Sequence, residues 1–536
     1  MRNLYLGSNR KMITSNNQNE IPRNDDENSD RSVKGVKSEK YLKRVVKGAG
    51  IALSGSVISY ILGSVSGIIT TNALGVTHYG IYVLATSWMG LLADYSRLGF
   101  GTVIIRFGAS YNAAQKKEFI KGTFLYIIKI QLLISILLCF CIMVWAEEFC
   151  SIVLKSPTAA PYFRFFAPAI LLTSLYGSFI SFLDGMQNQK YSVLSSAVAG
   201  NFFNILSLIL FLWLGYGVYA ALGSSLIQDT AILIVGAYLS WKIFPEFLDH
   251  NVESKVEKKI IWSFALTTFI ASLSYKYSFG LAMPFLGYYH SPVEVGLYAV
   301  AVNLQQLIFV PANALSVIFN PLVAELYVQD KVSEIHHLYK AVAKWSLICS
   351  APIAIIVILY TDFILSLFGS DYVEAAVTLL VLISISFIVN LIGLSGHIIN
   401  MIGKAKVNMI NSIITAIITC IMFVLLIPKY SIVGAGIAYG SGLLINNLIR
   451  VCYVFYTLKI HPFSYAMIKI VLAVLVSLLA GVSMQAIIEN SNDIVNVLLI
   501  SIISFIIYLV IVIMKIDDDD KFILSAVKNK VKSRTL

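Results

Sequence analysis

The sequence predicts an all-α polytopic membrane protein of about 14 transmembrane helices, two six-helix pseudo-repeat lobes plus two C-terminal helices. Three observations carry this. Hydrophobic residues make up 58% of the chain and charged residues 13%, with a mean hydropathy of +0.79, a balance that no solvated globule sustains at a length of 536 residues. Apolar runs of about 20 residues recur along the chain, each long enough to cross a hydrocarbon layer roughly 30 Å thick. Local patterns also repeat at nearly one spacing.

Residues 1-43 are polar and rich in Asn, Asp, Glu and Ser, the composition of a disordered segment. The first 20 residues hold no apolar core of signal-peptide length, so the first helix is expected to serve as the insertion signal. The N-lobe, 44-259, carries apolar runs near 48-71, 79-107, 121-145, 162-183, 192-214 and 217-242. The C-lobe, 260-459, carries them near 260-286, 294-325, 341-366, 374-400, 407-427 and 433-458. Segment 460-515 adds runs near 464-488 and 494-515, and 516-536 is a tail in which Asp517 to Asp520 read as a solvated charge run.

With the N-terminus inside, Lys34, Lys37, Lys40, Lys43, Lys116, Lys117, Lys255, Lys258 and Lys404 all fall on the inner flanks of the predicted spans, against Lys155, Arg164 and Lys429 in the outer loops. This asymmetry places both termini in the cytoplasm of a multi-pass cell-membrane protein. It also accounts for most of the +11 formal charge, so no nucleic-acid partner is expected. The six cysteines lack metal-ligand spacing, and neither a metal nor a cofactor is expected. The outer loops are too short for a folded catalytic domain, so the chain is expected not to be an enzyme.

Gly80-Ile-Tyr82 recurs as Gly296-Leu-Tyr298, and 296 − 80 = 216. Gln189-Lys190 pairs with Ala405-Lys406 at the same spacing, and Gly217 to Leu226 resembles Gly434 to Leu443 at 217. Six helices fit in this interval, so the halves share one orientation and are expected to be related by an axis along the membrane normal, with a substrate cavity between them. In the eighth run Asn303, Gln306, Asn313 and Asn320, together with Val310 and Val317, step by three and four onto one helical face. Subtracting 216 from this stripe lands on Asp94 and Arg97, charges inside an apolar run. Such a face in lipid must meet water or protein, so it either lines a cavity or forms an interhelical hydrogen-bond seam. Pro284, Pro311 and Pro321 favour kinks in the seventh and eighth runs.

From Leu74-Gly75 through Tyr79-Gly80-Ile81-Tyr82, and from Leu98-Gly99-Phe100-Gly101 to Arg106, the sequence resembles the polysaccharide-transport (O-antigen flippase-like) branch of the multidrug/oligosaccharidyl-lipid/polysaccharide (MOP) flippase superfamily. The resemblance implies a flippase that carries a polyprenyl-phosphate-linked oligosaccharide from the cytoplasmic to the outer leaflet by alternating access. Its implied partners are the lipid-linked saccharide, membrane lipids and a coupling H+ or Na+, and it is expected to act as a monomer. Residues 51-72 lack the first-helix arginines of lipid II flippases and the acidic residue of drug exporters. The alternative is a cation-coupled multidrug exporter of the same superfamily.

On this reading Arg97 and Lys276 are the candidates for holding phosphate, Arg97 bidentately. Asp94 with Arg97 also reads as a self-neutralising pair, and Lys276 as a residue that snorkels to the interface. Asn303, Gln306 and Asn313 complete the candidate cavity. Asp229, which corresponds to Asn446 in the second half, is the candidate for ion coupling, or a buried carboxyl bonded to a Ser or Thr of a neighbouring helix. Arg106 reads as an interfacial anchor, and Lys129 and Arg450 are further intramembrane cations, lining a cavity or snorkelling.

Overall fold

The computed structural model describes residues 26–249, 251–488 and 494–513, and all regular structure in them is helical. The tail 516-536 lies outside these residues, as does 1–25 of the polar leading segment. α1 (Asp26–Arg97) begins within the polar leading segment, at Asp26.

The backbone of α1 leaves the helical region at Gly75 (φ 70°, ψ 170°). This turn falls between the first two runs read from the sequence. The second run, expected to continue over 79-107, is two helices. Leu98 (φ 45°) and Gly99 (φ 74°) break it, and α2 (Phe100–Ala113) follows. The cause is a close helix crossing: a Cβ on Gly99 would sit 2.5 Å from the carbonyl oxygen of Ala265, so only glycine fits.

The first half continues through α3 (Lys117–Val153), α4 (Ala160–Phe166), α5 (Ala169–Gly185), α6 (Gln189–Val193), α7 (Asn201–Trp213) and α8 (Val218–Ile243). A π-helical stretch, Leu194–Gly200, joins α6 to α7. The second half runs from α9 (Lys258–Gly280) and α10 (Ala282–Tyr289) through α11 (Pro292–Gln305), α12 (Val310–Val328), α13 (Val332–Leu359) and α14 (Thr361–Ser366). Then come α15 (Ala376–Ile392), α16 (Ser395–Met401), α17 (Ala405–Leu458), α18 (Tyr465–Ile487) and α19 (Ile494–Ile513).

Among the described residues, ten helices are long and apolar enough to cross a membrane. The difference from the expected number of about 14 has a partial structural cause. Val57–Arg97, of 41 residues, and Ala405–Leu458, of 54, each exceed one span of about 20 residues. They turn at single residues, Gly75 and Ser431 (φ 48°, ψ −128°), without a connecting loop.

The repeated glycines have a structural use. A Cβ on Gly80 would lie 1.7 Å from the Pro292 carbonyl oxygen and 3.2 Å from the Gly296 amide nitrogen, and one on Gly296 would lie 2.6 Å from the Val76 carbonyl oxygen. The two copies of one motif therefore meet backbone to backbone, the close approach that small residues permit in lipid. A capping box of Ser291 and Glu294, with Pro292 in the first turn, starts α11 at that contact. Leu84, Ala85, Tyr298 and Ala301 pack around it in a core shared by both halves.

The segment joining the halves is tied to the start of α3. Lys121, 7% exposed, donates to the carbonyls of Asp249 (2.5 Å) and Val252 (3.1 Å). Lys117 pairs with Glu246, the Lys255 amide donates to the Glu118 carbonyl at 3.1 Å, and the Tyr111 hydroxyl donates to Glu257 at 2.9 Å.

Candidate functional site

The eighth sequence run is broken where its polar stripe is densest. α11 ends at Gln305, residues Gln306–Phe309 form a 3-10 turn, and α12 follows with Pro311 in its first turn. Proline removes a backbone donor and obstructs the preceding turn. Asn390 on α15 supports the break by donating to the Ile308 carbonyl at 2.9 Å, and Gln305 donates to Ser386 at 2.6 Å.

Asn303, Gln306 and Asn313 are exposed and open onto three cavities that share Tyr60. The largest, about 620 Å³, is lined by Ser59, Asp184, Gln189, Ser192, Ser196 and Asn313, among others. A second, about 320 Å³, lies in the second half beside Gln306, Asn390, His397, Asn446, Asn447 and Arg450. The third, about 280 Å³, takes in Asn303, Gln306, Ser64 and Phe368. The Tyr60 hydroxyl donates to Gln306 Oε1 at 3.3 Å, tying α1 to the stripe.

Asp94, Arg97 and Asp229 come together elsewhere and line none of these cavities. Arg97 lies 3.6 Å from Asp94 across one helical turn. It donates to the Thr173 carbonyl and stands over the Tyr176 ring, 5.7 Å from its centroid. The Thr173 hydroxyl donates to Asp229 Oδ2 at 2.9 Å, so one threonine joins the arginine on α1 to the carboxylate on α8. Gly177 makes room for the guanidinium, since a Cβ there would meet Arg97 Nη2 at 2.4 Å.

The 216-residue spacing relates this cluster to the cavity of about 320 Å³. Adding 216 to 97, 173 and 177 gives Asn313, Val389 and Gly393, and adding 217 to 229 gives Asn446. All four line that cavity. Equivalent positions hold a filled ionic cluster in one half and an open, amide-lined pocket in the other.

Lys276 falls within α9, and its side chain lies outside the described residues. Arg106 stacks on Phe264, 4.5 Å from the ring centroid, away from the cavities. Lys129 is exposed, whereas Arg450 lines the second cavity, its Nε donating to Asn408 Oδ1 at 2.7 Å. The sequence reading overlooked Tyr60, Asp184, Gln189 and His397. The recurrence of Ser59, Gly63 or Ser64, and Gly67 at helical spacing in the first run was a legible signal for part of this lining. The π-helical offset that brings Ser196 and Ala197 into the largest cavity has no comparable sequence mark.

The polysaccharide biosynthesis protein family matches residues 45–326, just over half of the chain, and the MatE family matches residues 267–426. An uncharacterized membrane protein of Methanocaldococcus jannaschii is 21% identical over 473 residues, covering 84% of this chain and 92% of the relative. Among solved structures, the lipid II flippase MurJ in its inward closed conformation superposes with a TM-score of 0.66 at 16% identity, over 85% of this chain and 96% of that one. An inward-facing multidrug resistance MATE family transporter of the MOP superfamily gives 0.63 at 16% identity, over 77% of this chain and 98% of that one. At these identities the likeness shows the fold, which is that of MOP-superfamily transporters.

Proposed function

The chain belongs to the polysaccharide biosynthesis protein family, and on that premise we propose that it is a flippase exporting a polyprenyl-phosphate-linked oligosaccharide to the outer leaflet by alternating access. The observation that carries this is the trio of cavities joined at Tyr60, whose linings are rich in amides and hydroxyls. A saccharide presents many hydroxyls and no apolar bulk, and such groups satisfy its hydrogen bonds inside a membrane. Asn303, Gln306 and Asn313 face the headgroup, Lys276 supplies positive charge along its path, Arg97 adds to it when the rocking motion frees it from Asp94, and the lipid tail stays in the bilayer. Cavities at a break in a membrane helix are also where a rocking motion finds its hinge.

The test is a deletion strain assayed for lipid-linked oligosaccharide held on the inner leaflet, complemented with wild type or Arg97→Ala/Lys276→Ala. Accumulation relieved by the wild type and not by the double variant, at equal protein level, supports the reading. Full activity of the double variant would sink cation capture by these two residues, and absence of accumulation in the deletion strain would sink the export reading.

The Asp229–Thr173 bond beside Arg97 favours a second reading, a cation-coupled multidrug exporter with Asp229 as the H+ or Na+ site. That reading requires Asp229→Asn to abolish resistance to cationic compounds. It has less support from the cavities, where among the described residues Asp184 is the sole acidic one in the three linings.

A further inference from the structure

We infer that Asp184 sets the saccharide preference of the cavity of about 620 Å³: it accepts hydrogen bonds from the hydroxyls of a neutral sugar unit and turns away a sugar that carries a carboxylate. The inference rests on the export reading above and names the class of headgroup that such a flippase carries.

The cavity has two kinds of surface, as a sugar ring has. Val310, Ala314 and Val317 recur at steps of four and three on α12 and give it an apolar wall. Asp184, Gln189 and Ser192, from the end of α5 and from α6, give it polar groups. A pyranose likewise has a face of C–H bonds and a rim of hydroxyls, and the volume lies within the roughly 300–1,000 Å³ of small-molecule sites.

Among the described residues Asp184 is the only charged group in this lining. Helix stability does not account for it, because it stands in the last turn of α5, where the negative end of the helix dipole opposes a carboxylate. It is hydrogen-bonded by the Ser192 hydroxyl, and Ser192 is itself buried. An ionised carboxyl offers about four lone-pair sites, so one serine leaves room for two neighbouring hydroxyls. In surroundings of low dielectric such an acceptor gains from donors and repels a second anion more strongly than it does in water. Sugar hydroxyls donate, whereas the carboxylate of a uronic acid only accepts.

Binding is measured near neutral pH on the purified full chain in lipid nanodiscs with three labelled lipids. These are polyprenyl diphosphate bearing a neutral hexose disaccharide, the same lipid with its terminal hexose replaced by a hexuronic acid, and bare polyprenyl diphosphate. The wild type should bind the neutral-headed lipid at least tenfold more tightly than the uronate-headed one. In Asp184→Asn, which keeps an acceptor for Ser192, that ratio should fall to threefold or less while affinity for the bare lipid stays within twofold. Ala314→Trp, which fills space along the apolar wall, should weaken binding of the neutral-headed lipid at least tenfold and leave the bare lipid within twofold, a readout that stands if Asp184→Asn fails to fold. A smaller wild-type ratio, an undiminished ratio in folded Asp184→Asn, or wild-type affinity in Ala314→Trp overturns this assignment, and binding of the bare lipid then still upholds the export reading. No binding of any of the three lipids overturns both.

Discussion

The two halves of this molecule place one arginine each in a polar region of the membrane and treat it in opposite ways. Arg97 is engaged by Asp94, by the Thr173 carbonyl and by the Tyr176 ring, with Asp229 one hydrogen bond further on. Arg450 is oriented by an amide, and its cavity carries Asn446 where the first half has Asp229. At matched positions the first half has a carboxylate, Asp229, where the second has an amide, Asn446. Asp94 and Asp229 offset the charge of Arg97 within its own cluster, whereas the polar groups described around Arg450 in its cavity are amides and His397. The 216-residue spacing thus relates two regions of different composition, an ionic cluster at Arg97 and an amide-rich cavity lining at Arg450.

The comparison presumes that the halves stay in register, and the Gly80–Gly296 contact is where that breaks most severely. Gly80→Val should abolish folded protein, because side-chain carbons would overlap the Pro292 carbonyl at a cost on the order of 3 kcal/mol or more. Expression and size-exclusion profile report it. A well-folded Gly80→Val protein would mean that this crossing is not tight.

Exchanging the electrostatics is the next largest effect. Asn446→Asp keeps the acceptor that Asn411 uses and puts a carboxylate into the Arg450 cavity, copying the first half. On the export reading that carboxylate repels the phosphates of a headgroup in the cavities, so polyprenyl diphosphate affinity should fall at least tenfold with the melting temperature little changed. The reciprocal Asp229→Asn keeps an acceptor for Thr173. It should lower export by tenfold or more and abolish its dependence on the H+ or Na+ gradient, while polyprenyl diphosphate binding stays within twofold of wild type. Equal effects of both variants on binding would erase the distinction between the halves.

Tyr60 stands where the three cavities meet, so its effect is smaller and shared. Tyr60→Phe removes the hydroxyl that donates to Gln306 and should weaken headgroup binding by about 1 kcal/mol, roughly fivefold. A change confined to bare polyprenyl diphosphate, with none for a saccharide-bearing lipid, would place Tyr60 with the anion and not with the sugar.

Much of this comparison was legible in the chain. The 216-residue spacing found the glycines that meet at the centre and the stripe that faces the cavities, because backbone approach and helical periodicity both leave local marks. It also mapped Asp229 onto Asn446. What it could not separate was Asp94 and Arg97 from Asn313, because a sequence face says which positions align and not whether a neighbouring side chain fills the space. In the first half the Arg97 side chain fills the space against Thr173 and Gly177, whereas beside Asn313, Val389 and Gly393 the matching space is open. The break at Leu98 and Gly99 was hidden because apolar composition continues through it, and only the approach of Ala265 requires it.

The smallest expected effect concerns the segment joining the halves, a strap tied to the start of α3. Lys117 donates to Glu246 and, with the backbone and its own charge, holds that carboxyl below its ordinary value of 4.5. A carboxyl with a depressed folded pKa contributes stability above its unfolded value and loses it as pH falls through the folded one. The pair therefore stabilises the linker from neutral pH down to about pH 4.5 and ceases to do so at lower pH. Lys117 is 53% exposed, so screening limits the contribution to about 0.5 kcal/mol or less. The melting temperature of Lys117→Ala should fall slightly below wild type at pH 6 in low salt. That difference should vanish near pH 3 and shrink at high ionic strength at any pH. Because the strap touches α3 and lines none of the three cavities, headgroup affinity should not follow the pH dependence of this difference. A parallel change in both would show that the linker transmits to the cavities, and would tie the two halves through it.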